Sequence, residues 1–273
     1  MQLSQGQKIA VLTGGTDGMG RLVAPLLAQA GFHVVTQGRS AARGKEVVDG
    51  IVAAGGQASF MACDLADLAD VRRFANDLTR RVERIDVLIN NAGIGTGPDG
   101  APRETSADGL ERRFAVNYLA PYLLTRLLLD KVQATPQARI VNVASEGQEP
   151  LDFDNMQLER DYSGYYAYCR SKVAVIMLTF DLAEELKASG VTANAMHPGA
   201  FMNTTMVREM NHEVVDSVDE GARHVFELAT HPRFHGVTGR YINCGVEGVV
   251  KPQCHDIHAR NRLRDYTRQL VGI

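Results

Sequence analysis

No CxxC pair occurs among the four cysteines, Cys63, Cys169, Cys244 and Cys254, of this 273-residue chain. Their spacing suits neither a zinc site nor a disulfide framework and fits a reducing compartment. No apolar run approaches the roughly 20 residues needed to span a bilayer. The opening segment, Met1 to Lys8, is short and polar, unlike a signal peptide or an anchor. Basic charge is not in excess: the formal net charge is −3. Lys and Arg are scattered apart from Arg72-Arg73, Arg80-Arg81 and Arg112-Arg113, pairs that read as solvated helix faces. Such a balance argues against a nucleic-acid partner. The expectation from these absences is a cytoplasmic protein with neither a membrane nor a nucleic acid as partner. Internal repeats and low-complexity segments are also missing.

What is present is a hydrophobic share of 45%, enough for one large buried core over residues 1–273. Lys8 to Thr13 is a short apolar run ending in glycines, which reads as a buried strand. Helical and strand-like stretches then alternate. The strands are expected at 32–36, 58–62, 85–90, 138–143, 191–196 and 240–244. The helices are expected at 21–30, 41–54, 67–83, 107–131, 165–189 and 217–230. This alternation predicts an α/β fold: a single doubly wound Rossmann domain with a seven-stranded parallel sheet between helix layers.

The turn after the first strand reads Thr13-Gly14-Gly15-Thr16-Asp17-Gly18-Met19-Gly20. Glycines permit a tight turn and a close approach of backbone to ligand. The free N–H groups and dipole of the helix that follows favour a pyrophosphate. After the second strand an NAD site would carry an acid for the ribose hydroxyls. Here the chain reads Gln37-Gly38-Arg39-Ser40, with Arg43 one turn later. Guanidinium groups pair with a phosphate dianion, so the expected cofactor is NADP(H), with Arg39 and Arg43 on its 2′-phosphate.

Tyr168 and Lys172 are four apart in an expected helix, hence on one face. A free tyrosine titrates near pH 10, too high for proton transfer at neutrality. An ammonium group beside the phenol favours the phenolate and lowers that pKa.

These segments together resemble the short-chain dehydrogenase/reductase superfamily. Thr13 to Gly20 resembles its TGxxxGxG turn, and Cys63-Asp64-Leu65 its adenine-contacting segment. Asn90-Asn91-Ala92-Gly93 matches its NNAG, and Asn117 its catalytic-helix asparagine. Ser145 matches its serine, Tyr168 and Lys172 its YxxxK. His197-Pro198-Gly199 matches the turn facing the nicotinamide. A narrower likeness is to the retinol-dehydrogenase-like, NADP(H)-preferring carbonyl reductases, carried by residues 104–111, 167–172, 191–199 and 252–273.

The resemblance implies that Tyr168 exchanges a proton with the substrate oxygen and that Ser145 polarises it. It implies that Lys172 lowers the tyrosine pKa and holds the nicotinamide ribose. Asn117, by side chain or backbone, positions a relay water. Gly14, Thr16, Asp17, Gly18, Met19, Gly20, Asp64, Leu65, Asn91, Ala92, Gly93, Pro198, Gly199 and Phe201 join the two arginines, Tyr168 and Lys172 as cofactor-binding residues. The implied reaction interconverts a ketone or aldehyde with an alcohol on an apolar or aromatic small molecule. A nucleotide-binding protein, or a non-redox enzyme such as an epimerase or cyclase, shares the same fold. The family often forms homodimers or larger homo-oligomers through the helices that hold 117–131 and 168–186.

Four features depart from the simplest pattern. Ser145 and Tyr168 lie 23 positions apart, so an insert either shapes the substrate pocket or sits on the surface. The family's threonine five residues beyond the proline is replaced by Asn203, with Thr204 next, and either is a candidate cofactor contact. Residues 201–215 are expected as a substrate lid whose Met202, Met206 and Met210 form an adaptable apolar surface or helix core. His255 and His258 have no third ligand nearby and read as a solvated part of the C-terminal extension, 250–273. That extension ends in a helix docked through Leu263, Tyr266, Leu270 and Val271.

Overall fold

A computed structural model describes residues 6–209 and 213–273. The first half of the sheet consists of β1 (Ile9–Thr13), β2 (His33–Gly38), β3 (Gln57–Ala62) and β4 (Val87–Asn90). Between them lie α1 (Gly18–Gln29), α2 (Ala41–Ala53) and α3 (Leu68–Thr79). A short turn α4 (Arg112–Phe114) leads through a π-helical segment, Ala115–Leu119, into α5 (Ala120–Gln133). Then come β5 (Arg139–Val143), α6 (Gly164–Glu185), β6 (Thr192–His197) and α7 (Thr205–Glu209). The chain continues with α8 (Val218–Thr230), β7 (Tyr241–Asn243), β8 (Val246–Glu247) and α9 (Ile257–Val271).

The sheet order is β3-β2-β1-β4-β5-β6-β7-β8. The chain reverses direction across the sheet between β1 and β4, which opens a crevice at their carboxyl ends where ligands bind in doubly wound folds. Strand residues alternate between the two helix layers. Ile9 and Val11 of β1 join the core beneath α3, α5, α6 and α9. Ala10 and Leu12 face the other core, with α1, α2 and α8. A strand covered on both faces needs apolar residues at every position, hence its continuous run.

Among the described residues, eight strands replace the expected seven. The added β8 runs antiparallel to β7, whereas every other pairing is parallel. Two residues carry no readable period, so sequence patterning passes over such a strand. The helix expected from Ala107 starts only at Arg112. Ser106 Oγ accepts the N–H groups of Asp108 and Leu110, and Asp108 accepts that of Leu68. Side chains that bond local backbone in this way compete with a helix.

Arg113 is not on a solvated face. It is 4% exposed, donates to the carbonyls of Gly95 and Thr96 and to the Tyr162 hydroxyl, and lies 3.7 Å from the buried Glu111 carboxylate. The insert is likewise fastened at several points. Gln253 accepts the Leu151 N–H at 2.6 Å and donates to its carbonyl at 3.0 Å. Gln157 accepts the Glu111 N–H and donates to Tyr266. Helix α9 docks as expected: Leu263 and Val271 are buried, and Tyr266 and Leu270 pack against the core. His255 and His258 are both exposed, as expected, and the His255 ring is stacked on Phe180 with centroids 5.3 Å apart.

Candidate active site

The turn after β1 is shaped by backbone contacts that leave no room for side chains. Gly14 has φ 69° and Gly18 φ 47°, a region that L side chains rarely adopt. A Cβ on Gly14 would come within 2.9 Å of Ala92 Cα, and one on Gly20 would collide with the Gly14 carbonyl. Asp17 caps α1 by accepting the Gly18 N–H at 2.8 Å. Thr13 fastens this turn to the one after β4. Its hydroxyl accepts the N–H groups of Asn91 and Ala92, while Asn91 donates its side-chain amide to the Thr13 carbonyl. Gln37, buried at the end of β2, accepts the Gly14 N–H and donates to the Cys63 carbonyl. The sequence drew attention to Gln37 only for not being an acid. Its bridging role has no motif.

These residues make a cradle suited to a dinucleotide: a capped helix start, glycines at the closest approach and two arginines after β2. Arg39 is exposed. Arg43 is engaged with the Asp17 carboxylate at 2.9 Å. Asp64 is exposed and folds a local turn by accepting the Ala66 N–H. The Leu65 and Met19 side chains are buried in the two cores. Thr16 is buried against Gly38.

Tyr168, Lys172, Ser145 and Asn117 converge at the carboxyl ends of β4 and β5. Tyr168 and Lys172 lie on α6, whose start is capped by Ser163 accepting the Tyr166 N–H. The Lys172 ammonium lies 5.5 Å from the Tyr168 ring centroid and donates to the Val143 carbonyl at 3.0 Å. Burial lowers its pKa to about 8. Burial pushes the Tyr168 phenol up, and its hydrogen bond with Ser145 works the other way. The expected lowering of the tyrosine pKa by Lys172 is therefore not what these side chains give: loss of water around the phenol outweighs every stabilising contact. Ser145 is held from two sides, its hydroxyl accepting the Gly147 N–H and its carbonyl accepting the Tyr241 hydroxyl.

Asn117 sits in the π-helical segment, where the Ala120 N–H reaches back five residues to Ala115. Such turns often mark functional positions. The Asn117 side chain accepts the Ile94 N–H and donates to the Ile94 carbonyl and to Ser171 Oγ. Ser171, in turn, donates to the Tyr168 carbonyl. The amide thus ties the loop after β4 to α6. Gly93 lies between: a Cβ there would be 3.2 Å from Asn117 Oδ1 and 3.4 Å from Lys172 Nζ.

The segment after Pro198-Gly199 is clamped at both ends. Ala200 and Phe201 carbonyls accept the N–H groups of Asp216 and Val215, and Asp216 accepts the Ala200 N–H. Phe201 has φ 41°, a strained position for an aromatic residue. Thr204 lies against Gly18, while Asn203 accepts from Arg208. Of the two candidates for the family's threonine, Thr204 is the one beside the glycine turn. Met202 is core, packed on Gly221 and part of the cluster with α8. Met206 is half-buried, and Met210 lies outside the described residues. His197 is buried, with Nε2 3.7 Å from Glu146. Burial lowers its pKa against the opposing pull of Glu146. Among the described residues no group of three His, Cys, Asp or Glu side chains is arranged for a metal, and no helix is long and apolar enough to cross a membrane.

Comparison with known proteins agrees with this architecture. The short chain dehydrogenase family profile matches residues 8–215. Human retinol dehydrogenase 14 is 31% identical over 97% of this chain and 87% of its own length. Human polyprenol dehydrogenase is 34% identical over 86% of this chain and 76% of its own. A solved short chain dehydrogenase from Burkholderia cenocepacia in complex with NADP is 27% identical, with a TM-score of 0.71 over 89% of this chain and 99% of that one. The chain belongs to the short-chain dehydrogenase/reductase family, enzymes that use a nicotinamide cofactor to interconvert alcohols and carbonyls.

Proposed function

We propose that this enzyme is an NADP(H)-dependent reductase of an apolar or aromatic ketone or aldehyde, with Tyr168 as its proton donor. The observation that carries the chemistry is the meeting of the Tyr168 phenol with Ser145 and the buried Lys172 ammonium at one place. When bound, the cofactor supplies or accepts the hydride. Everything else falls to the chain. The substrate oxygen sits between the Ser145 hydroxyl and the Tyr168 phenol. A raised phenol pKa keeps the proton on Tyr168 at neutrality, the form that reduction needs. Lys172 holds positive charge near the phenolate that forms when the proton leaves. The side chain of Asn117 is committed to Ile94 and Ser171, so its main-chain carbonyl is the arm left to position a relay water.

Preference for NADP(H) rests on Arg39 and Arg43 standing where an acid would hold the ribose of NAD. The NADP-bound structural relative supports it. The apolar substrate class is supported by relatives whose names specify retinol and polyprenol. Residues 1–273 act as a single Rossmann domain in this proposal, with 201–215 closing over substrate and 250–273 bracing the insert before Tyr168.

Two variants test the reading. Tyr168→Phe should lose roughly 10²–10⁴-fold in NADPH-dependent carbonyl reduction, with cofactor affinity nearly intact. Near-normal turnover would remove Tyr168 from its role. Arg39→Ala should weaken NADPH far more than NADH in direct titrations. An unchanged ratio would overturn the cofactor assignment.

A further inference from the structure

Asp17 stands where three elements meet. Its Oδ1 accepts the Gly18 N–H at the start of α1. Its Oδ2 accepts Arg43 Nη1 from α2 at 2.9 Å and Thr205 Oγ1 from α7 at 3.1 Å. Burial acts to raise the pKa of this carboxyl. The Gly18 N–H, the Thr205 hydroxyl and Arg43 outweigh it and hold the acid below its ordinary range. The carboxylate is thus charged and fixed in orientation. It is aimed at one of the two arginines assigned to the 2′-phosphate.

We propose that Asp17 is a specificity-determining residue: it competes with the cofactor's 2′-phosphate for Arg43 and so limits the preference for NADP(H) over NAD(H). The inference rests on the NADP(H) reading above. The Arg43 side chain is 57% exposed and that of Asp17 48%, so the pair is screened by water and readily exchanged. A phosphate dianion is the stronger partner for a guanidinium. To engage it, Arg43 must give up Asp17, and the phosphate must then lie near a carboxylate that Thr205 and Gly18 prevent from turning away. Both effects lower affinity for a 2′-phosphate.

The experiment uses 2′,5′-ADP and 5′-AMP as probes, titrated by isothermal calorimetry into the full chain. Asp17→Asn removes the charge and keeps an N-cap side chain of equal quality. Asp17→Ser is a parallel uncharged cap, and thermal melts establish that both variants fold. Both should tighten 2′,5′-ADP about two- to fivefold relative to 5′-AMP. In an Arg43→Ala background the gain should fall below half. The proposal is overturned if folded Asp17 variants do not tighten 2′,5′-ADP although the wild type prefers it to 5′-AMP. An equal gain with and without Arg43 overturns it too, since the acid then acts only through general charge. Equal wild-type affinity for the two probes defeats the NADP(H) reading itself, and the proposal with it.

Discussion

Lys172 is a cation held out of water, and its burial has a consequence for rate. Its ammonium, lowered to about pKa 8, has one fixed acceptor here, the Val143 carbonyl. Below that pH it is charged and assists the phenolate that develops as Tyr168 gives up its proton. Above it, the charge is lost while Tyr168, pushed up by burial, still carries its proton. The reductive kcat/KM should therefore fall as pH rises through about 8, although the proton donor remains protonated. A profile flat to pH 9.5 in the reductive direction would show that the lysine charge does not contribute. The oxidative direction needs the phenolate and should show the opposite slope. At this scale Tyr168, Lys172, Ser145 and the glycine turn were legible in the sequence because their chemistry restricts residue type and spacing. Arg113 was not. A charged pair in sequence reads as solvated, and only the fold reveals that Gly95, Thr96 and Tyr162 supply its acceptors.

At the scale of elements, periodicity located the buried strands and long helices, because two-sided burial and a 3.6-residue repeat leave direct marks. It missed what depends on contacts distant in sequence. The stretch from 107 to 111 looked helical until its polar side chains found backbone partners. The insert between Ser145 and Tyr168 read as a pocket-shaping loop, with a surface insertion as the alternative. Its attachment to the extension includes Gln253, which satisfies both backbone groups of Leu151 across 102 residues of sequence, beside the bonds of Gln157 to Tyr266 and of Gln148 to Lys251. Replacing Gln253 by Ala leaves a donor and an acceptor beside the buried Leu151 side chain without partners. The expected cost is about 1–3 kcal/mol in chemical denaturation, with faster hydrogen exchange at the Leu151 amide. Exchange as slow as in the wild type would mean that the insert is held without Gln253.

For the whole molecule, what is buried decides how stability responds to alkali. Burial pushes the Cys63 and Cys254 thiols up to about 12, from an ordinary value of 9. In the unfolded chain these thiols lose their protons near pH 9, whereas in the folded chain they keep them to about 12. Between those limits the folded state binds more protons, so stability falls as pH rises. Each such proton contributes a slope of up to about 1.4 kcal/mol per pH unit. Burial also raises Tyr118 and Tyr241, which adds to the slope above pH 10. Lys172 acts in the other direction. Its folded pKa lies below the unfolded value, so its contribution improves between about 8 and 10.5. One lysine is outnumbered by the thiols and phenols, and the net slope should be negative above pH 9. Urea unfolding at pH 7.5, 9 and 10.5 measures it. Cys63→Ala with Cys254→Ala should make that slope shallower, whatever the two cavities cost at neutral pH. The cysteines that lack the spacing for a metal or a disulfide would then be alkaline-sensitive core residues. A slope as steep in the double variant as in the wild type would assign the loss to other groups.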